Sequence, residues 1–334
     1  MIQAAILGLG WWGKTIIRRM ATSDRLRIVT AVDVNPEPHR EFVKDFGIRL
    51  TTSYDEVLDD PGIDAVILAT PNSLHVRQVV AAAGKGKHVF CEKPLALSRA
   101  DAVRCVEACR AAGVMLGIGH ERRYEPAMME VERLVRDGAL GTIMHAEANF
   151  SHDKLVDVPQ TDWRRSAKES PAAGMTAMGI HLTDAFINLF GNVESVFAST
   201  ANRVLKSENG DVVSVLLKFA SGATAYLNAT LVTPIYLRFT VFGSDAWVEV
   251  RNETHPDTVG SATLTLQPAK GEPQVRVYDW ADSVRANLET FAEAVHGRAP
   301  YPITDEQKIE NIAVLEAVSR SAETGNAVAV ERSA

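Results

Sequence analysis

Ile6-Leu7-Gly8-Leu9-Gly10-Trp11-Trp12-Gly13 is a G-x-G-x-x-G turn, preceded by the apolar run Ile2–Leu7 and followed by a helical pattern over Lys14–Ala21. Gly8 permits the tight turn, Gly10 lets the backbone approach a pyrophosphate, and Gly13 lets helix and strand pack closely. The helix that follows offers unpaired N–H groups and a partial positive charge to phosphates, with Trp11 and Trp12 at its mouth. A second apolar run, Ile28–Asp33, ends in a carboxylate about 20 residues beyond Gly13, where it can accept from both adenosine ribose hydroxyls. That carboxylate repels a 2′-phosphate, so NAD is expected over NADP. The simpler alternative is a tight strand–helix turn with a capping Asp.

Outward from this turn, the first 120 residues alternate short apolar runs with helical patterns. The runs continue with Ala65–Ala69, His88–Cys91 and Val114–Ile118, and between them lie helical patterns at Leu74–Ala83 and Ser98–Ala111. Short, wholly apolar strands separated by helices predict a parallel sheet covered on both faces. Beyond residue 120 the rhythm changes. A helix is expected over Glu125–Asp137, a strand over Thr142–Phe150, a charged and proline-bearing loop over Ser151–Pro171, and a helix over Met175–Phe190. Then strands follow strands: Val193–Ala201, Val212–Phe219, Ala223–Leu231, Leu237–Phe242 and Ala246–Arg251. Such grouping predicts an antiparallel or mixed sheet, with helices near Asp282–His296 and Asp305–Glu323 closing the chain. The expected architecture is α/β: a doubly wound parallel sheet over 1–120, then an α+β domain with a large open, mostly antiparallel sheet over 121–334.

Two further segments end strands of the first domain: Ala69-Thr70-Pro71-Asn72-Ser73-Leu74-His75 and Cys91-Glu92-Lys93-Pro94-Leu95. Ligands of a doubly wound sheet bind outside the carboxyl ends of its strands. Both segments therefore serve the same crevice as the glycine turn. A lysine there, beside a desolvated cofactor, is a usable proton donor or acceptor; elsewhere it would be a solvated strand end.

Together these segments resemble the glucose–fructose oxidoreductase/inositol dehydrogenase (Gfo/Idh/MocA) family of nicotinamide enzymes. The resemblance rests on the glycine turn, on Thr70-Pro71-Asn72 with His75, and above all on Glu92-Lys93-Pro94. Arg122-Arg123-Tyr124-Glu125-Pro126, Asp162-Trp163-Arg164 and the Gly174–Asp184 segment extend it over nearly the whole chain. It implies a Rossmann domain, then a domain with a large open sheet whose face mediates oligomerisation, so a homodimer or homotetramer. It implies that Gly8, Gly10, Trp11, Trp12, Gly13, Asp33, Thr70, Pro71, Asn72, His75, Glu92, Lys93 and Arg164 attend the cofactor. By the same resemblance Lys93 and His181 flank the reacting hydroxyl carbon, as catalytic residues, and Arg164 lies in the pocket; its alternative is a surface arginine packed on Trp163.

His181 and Asp184 are three apart and share a helical face. The histidine can hold a substrate hydroxyl near neutral pH, or be a core side chain bonded to backbone. Asp184 either binds a substrate hydroxyl or fixes the helix through an ion pair. Arg122 and Arg123 are read as structural. The chain departs from the family pattern at Ala177, where the family commonly carries Asp four residues before the histidine. Lys93 and His181 then suffice, or His152, Asp153 or Asp162 substitutes.

The expected activity is reversible NAD(P)-dependent oxidation of a secondary alcohol on a sugar, inositol or related cyclic polyol. The alternatives are a cyclic diol dehydrogenase, a redox-assisted elimination or glycosidic cleavage, and a cofactor-binding regulator without catalysis. A net charge of −7 argues against a nucleic-acid partner. The three cysteines, Cys91, Cys105 and Cys109, form no disulfide pattern and give no metal-ligand set. The start has no basic n-region, and no apolar run nears the roughly 20 residues of a membrane span. A cytoplasmic protein without membrane contact is expected.

Overall fold

The computed structural model describes residues 1–331. In chain order its elements begin with β1 (Ile2–Leu7), α1 (Trp11–Met20), β2 (Leu26–Val32), α2 (Arg40–Asp45), β3 (Arg49–Thr51) and α3 (Tyr54–Asp59). Then come β4 (Ala65–Leu68), α4 (His75–Gly84), β5 (His88–Cys91), α5 (Arg99–Ala111) and β6 (Leu116–Ile118). The next stretch holds α6 (Pro126–Arg136), β7 (Ile143–Ser151), α7 (Gly179–Phe190), β8 (Val193–Ala201), β9 (Val212–Phe219) and β10 (Thr224–Thr230). The chain finishes with β11 (Tyr236–Gly243), β12 (Ala246–Asn252), β13 (Ser261–Pro268), β14 (Gln274–Asp279), α8 (Ser283–Val295), α9 (Asp305–Thr324) and β15 (Val328–Ala329).

The first compact unit holds residues 1–121 and 282–309. Its six strands lie in the order β3-β2-β1-β4-β5-β6, every pair parallel. The order reverses between β1 and β4, so their carboxyl ends form the switch point at which doubly wound sheets bind ligands. β4 is buried at all four positions, as a strand covered on both faces must be. The Rossmann expectation holds.

Residues 282–309, which follow the second sheet in sequence, pack with this first unit. The reason is polar as well as apolar. The edge strand β6 needs partners for its outer backbone groups, and Asn287 Nδ2 donates to Ile118 O at 2.9 Å while Ile118 N donates to Tyr301 Oη at 3.2 Å. Tyr301 in turn donates to Asn287 Oδ1 at 2.7 Å, closing the network. Phe291 meets Phe90 edge-on with 5.6 Å between centroids. Sequence order therefore understates how much of the chain builds the dinucleotide fold.

The second unit, residues 122–281 and 310 onward, is built on nine strands ordered β14-β13-β12-β11-β7-β10-β9-β8-β15. Only β7 with β10 pairs in parallel; the other pairs are antiparallel. Burial alternates along β9 and β10, the signature of one covered and one open face. The covered face packs on α6 and α7. On the open face Phe197, Leu216 and Tyr226 stand side by side in register. α7 is apolar nearly all round, and ten of its 12 residues are buried, as a helix central to its unit requires.

The helix expected from Met175 starts later, at Gly179. Ala172 and Ala173 sit in the left-handed region, φ 56° and 52°, and a single 3-10 turn over Ala173–Met175 intervenes. Close packing requires glycine where the helix starts: a Cβ on Gly179 would lie 2.6 Å from the Met175 sulfur. Among the described residues no helix is long and apolar enough to cross a membrane.

Candidate active site

The glycine turn is built as its residues require. Gly8 has φ +92°, and a Cβ there would sit 2.5 Å from Ala69 O at the end of β4. A Cβ on Gly13 would strike Gly8 O, whereas one on Gly10 would meet nothing within 4 Å. Two glycines thus serve packing, and the third faces open space where a ligand can reach the backbone. α1 starts with Gly10 as N-cap, has no side-chain cap bond and carries no acidic residue in its first turn. Its amide donors and dipole are left for an anion.

Asp33 reaches back to this turn. Its Oδ2 accepts from Leu9 N at 2.7 Å and its Oδ1 from Asn35 N at 2.9 Å. His39 Nε2 lies 3.7 Å from Oδ2. The carboxylate is therefore oriented before any ligand arrives. These residues fit a dinucleotide: open backbone at Gly10, helix dipole beyond it, and a fixed carboxylate at the end of β2.

β4 and β5 deliver the second cluster. His75, fully buried, sits between two backbone carbonyls, Nδ1 2.7 Å from Pro94 O and Nε2 3.1 Å from Thr70 O, and a neutral ring donates to one of them. It ties the Thr70-Pro71-Asn72 loop to Lys93-Pro94, whose peptide bond is cis. His75, read from sequence among the cofactor contacts, is thus a brace between loops. Thr70 Oγ1 donates to Gln78 Oε1 at 2.6 Å, and Asn72 is buried.

Glu92 is buried too, and Gly119 makes the room: a Cβ there would fall on the Glu92 carboxylate. Burial holds that carboxyl above the usual carboxylate range, against the neighbouring Trp12 indole and Lys93 ammonium, which favour ionisation. Trp11 is exposed, its ring 5.2 Å from that of Trp12.

In the second unit His181 lies on the first turns of α7, 5% exposed, its ring 6.1 Å from that of Phe150 on β7. Ala177 falls in the irregular turn before α7, so it and His181 do not share a regular helix. Asp184 takes the ion-pair alternative: its Oδ1 and Oδ2 accept from Arg123 Nη2 and Nε, both at 2.7 Å. A carboxylate so engaged fixes its helix. Arg122 pairs with Glu125 at 2.8 Å and lies over the Phe150 ring. Arg164 stacks on Trp163, 4.1 Å from the ring centroid, and pairs with Asp162 at 3.2 Å. That is the packing its alternative reading described.

Of the three proposed substitutes for the missing carboxylate, Asp162 is committed to Arg164 and Asp153 is exposed. His152 is buried. Sequence reading passed over Arg165, which donates to the carbonyls of Leu155, Val156 and Val158 at 2.8–3.2 Å and so holds the 152–171 loop. It also passed over His255 and Asp257, whose only signal is the spacing His-Pro-Asp. Among the described residues no three His, Cys, Asp or Glu side chains gather as a metal site.

A Rossmann unit with an open phosphate turn, joined in sequence to an open-sheet unit, defines a dinucleotide-binding oxidoreductase class. The chain belongs to the GFO/IDH/MocA oxidoreductase family. The model described as an oxidoreductase family with NAD-binding Rossmann fold matches residues 2–120, and the model of the family's C-terminal domain matches 128–249. The chain is 30% identical to 1,5-anhydro-D-fructose reductase of Ensifer adhaerens over 91% of each. It is 30% identical to D-xylose 1-dehydrogenase (NADP(+)) 2 of Haloferax volcanii over 84% of each. It is also 30% identical to 2,7-anhydro-N-acetylneuraminate hydratase of Escherichia coli, over 68% of this chain and 61% of that one. A crystal structure of aldose-aldose oxidoreductase from Caulobacter crescentus, complexed with glycerol, superposes with TM-score 0.87 at 29% identity, covering 98% of this chain and 99% of that one. The resemblance stated from the motifs holds.

Proposed function

We propose that the protein oxidises or reduces a secondary alcohol or ketone on a sugar, inositol or related cyclic polyol, with NAD preferred over NADP. The nicotinamide, when bound, supplies the hydride acceptor or donor. Lys93 exchanges the hydroxyl proton, and His181 hydrogen-bonds the same hydroxyl and orients it. Gly10 and the α1 amides hold the pyrophosphate on the turn that Gly8 and Gly13 shape, and Asp33 holds the adenosine ribose. The observation that carries this reading is the brace at His75, which fixes Lys93-Pro94 against the loop beside the glycine turn. The test is a panel of sugars, inositols and cyclic diols with NAD and NADP, read by absorbance of the reduced nicotinamide. Turnover of at least one cyclic polyol or sugar is expected; a wild type inert across the panel sinks the reading.

A second reading follows from the likeness to a hydratase: transient oxidation that drives addition or elimination, with no net change in the nicotinamide. Product formation without accumulating NADH separates it from the first.

Cofactor preference rests on Asp33. Because Asp33 also accepts from Leu9 N, Asp33→Ala loosens the glycine turn for both cofactors. Loss of the ribose bonds adds to that for NAD alone, while relief of repulsion favours the 2′-phosphate of NADP. The dissociation constant for NAD is expected to rise about tenfold more than that for NADP, the worth of a charged hydrogen bond. Equal rises in fluorescence titrations contradict the assignment.

The open face of the nine-stranded sheet, with Phe197, Leu216 and Tyr226 in one row, is the surface assigned to a homodimer or homotetramer.

A further inference from the structure

His39 stands in the turn after β2, and neither the fold nor the proposed reaction uses it. The turn runs Asp33-Val34-Asn35-Pro36-Glu37-Pro38-His39, and its two prolines fix φ along the path that returns the imidazole to the strand end. The ring arrives with Nε2 3.7 Å from Asp33 Oδ2, both side chains largely buried. Its Nδ1 is buried and has no hydrogen-bond partner.

These two features assign its proton. An orphaned buried N–H is rarer than an orphaned lone pair. A neutral ring therefore keeps its lone pair on Nδ1 and carries the proton on Nε2, where it faces a carboxylate. Yet 3.7 Å is too wide for a direct hydrogen bond. It is a separation at which two groups can both bond to one oxygen lying between them. Asp33 Oδ2 has the capacity: it accepts from Leu9 N at 2.7 Å, and a carboxylate oxygen takes two such bonds.

Side-chain bulk does not close this corner. Val34 is 93% exposed, and Asn35 and Glu37 are exposed as well. With the ribose on Asp33, what opposes or admits a 2′-phosphate here is charge. Most of the charges on the surrounding elements are already engaged. Arg40 holds Glu37 at 2.8 Å, Lys44 lies 3.9 Å from Glu41, and Arg49 of β3 holds Asp60 at 3.1 Å. Lys14 and Arg18 of α1 lie over the Phe42 ring. Among the described residues, Asp33 is the one carboxylate paired with His39. Of these residue types, only histidine ordinarily changes charge near neutrality.

We propose that His39 sets how this protein discriminates NAD from NADP, by sharing the ribose 2′ oxygen with Asp33. The inference rests on the function proposed above, in which Asp33 holds the adenosine ribose. With NAD, the neutral ring donates from Nε2 to the 2′ hydroxyl, and that hydroxyl donates to Asp33. With NADP the 2′ oxygen carries a phosphate and has no proton to give, so Asp33 faces an anion. Protonated His39 offsets the Asp33 charge and donates to the phosphate. NADP binding therefore takes up a proton and strengthens as pH falls. NAD binding gains nothing from that charge.

The test uses the full chain, with NAD and NADP themselves as probes, in fluorescence titrations from about pH 6 to about pH 8.5. A phosphate monoester takes up a proton of its own at about pH 6, so the quantity read is the difference between wild type and His39→Gln. As pH falls across that range, the ratio of the NADP to the NAD dissociation constant is expected to drop about tenfold more in wild type than in His39→Gln, the strength of a charged hydrogen bond. Nitrogen-15 histidine spectra are expected to show the His39 ring charged at a higher pH with NADP bound than with NAD bound. A purely structural histidine would show no such difference. Should His39→Gln fail to fold, His39→Asn carries the same titration. Equal pH dependence in wild type and the folded variant, while Asp33→Ala still alters the ratio, overturns the role of His39 and leaves that of Asp33 standing. A ratio that neither substitution moves overturns both. A wild type that binds neither dinucleotide refutes the functional reading and the role of His39 with it.

Discussion

Lys93→Met is expected to bind NAD with near-normal affinity and to lose about a thousandfold in kcat, within the range a positioned general acid or base contributes. The methionine keeps the length and apolar stem of the lysine, so the loop braced by His75 is preserved. What disappears is the only proton carrier assigned to the reacting hydroxyl. Hydride transfer would then have to proceed with the hydroxyl proton delivered to water or to a weaker group. Steady-state kinetics on the best sugar of the panel, with cofactor titration alongside, make the check. A variant with near-normal kcat removes Lys93 from the chemistry; one that loses NAD binding instead shows the lysine to be a cofactor contact.

Arg123→Ala is expected to cost about 3–5 kcal/mol of stability, because it strands the Asp184 carboxylate inside the second unit. The side chains of Arg123 and Asp184 are 7% and 3% exposed, so water cannot repay the lost bonds. Asn188 Oδ1, which accepts from Arg123 Nη1 at 2.8 Å, loses its donor as well. The melting temperature should fall by roughly 10 °C for a unit of this size. Asp184→Asn separates the two readings of that residue. A stabiliser of α7 gives a lower melting temperature with KM unchanged in the folded fraction. A substrate ligand gives the reverse, a raised KM with the melting temperature intact.

The parts of this molecule that were legible in the sequence are those where local pattern and burial coincide. β1, β4 and β5 read as strands because strands covered on both faces are almost wholly apolar, with Gln3 and His88 the polar exceptions. The glycine turn read correctly because steric demands at Gly8 and Gly13 leave no other residue possible there. β3, α2 and α3 were passed over: three to six residues show no period. β13 and β14 were missed because much of their surface is exposed, and Thr263, Thr265 and Gln267 blur the apolar signal. The allegiance of α8 to the first unit was illegible, because it depends on Asn287 and Tyr301 satisfying a strand edge over 160 residues away and no local pattern records that.

The proposed site draws on the sequence in part. Lys93 and His181 came from motif resemblance, and Asp33 from its distance to the glycine turn. His75 shows the limit: its place in the motif suggests a ligand contact, and only the structure shows its ring between the carbonyls of Thr70 and Pro94. His39 shows another, since a histidine in a proline-bearing turn becomes informative only when its ring is seen 3.7 Å from the Asp33 carboxylate.

The central claim is that Lys93 and His181 act on one hydroxyl, and a double-mutant cycle reads it most directly. Lys93→Met, His181→Ala and the double variant are compared by kcat/KM on one sugar from the panel. Groups that serve a single transition state are strongly non-additive, so the double variant is predicted to lose little more than the worse single one. Losses that multiply would place the two residues in separate tasks and contradict the account.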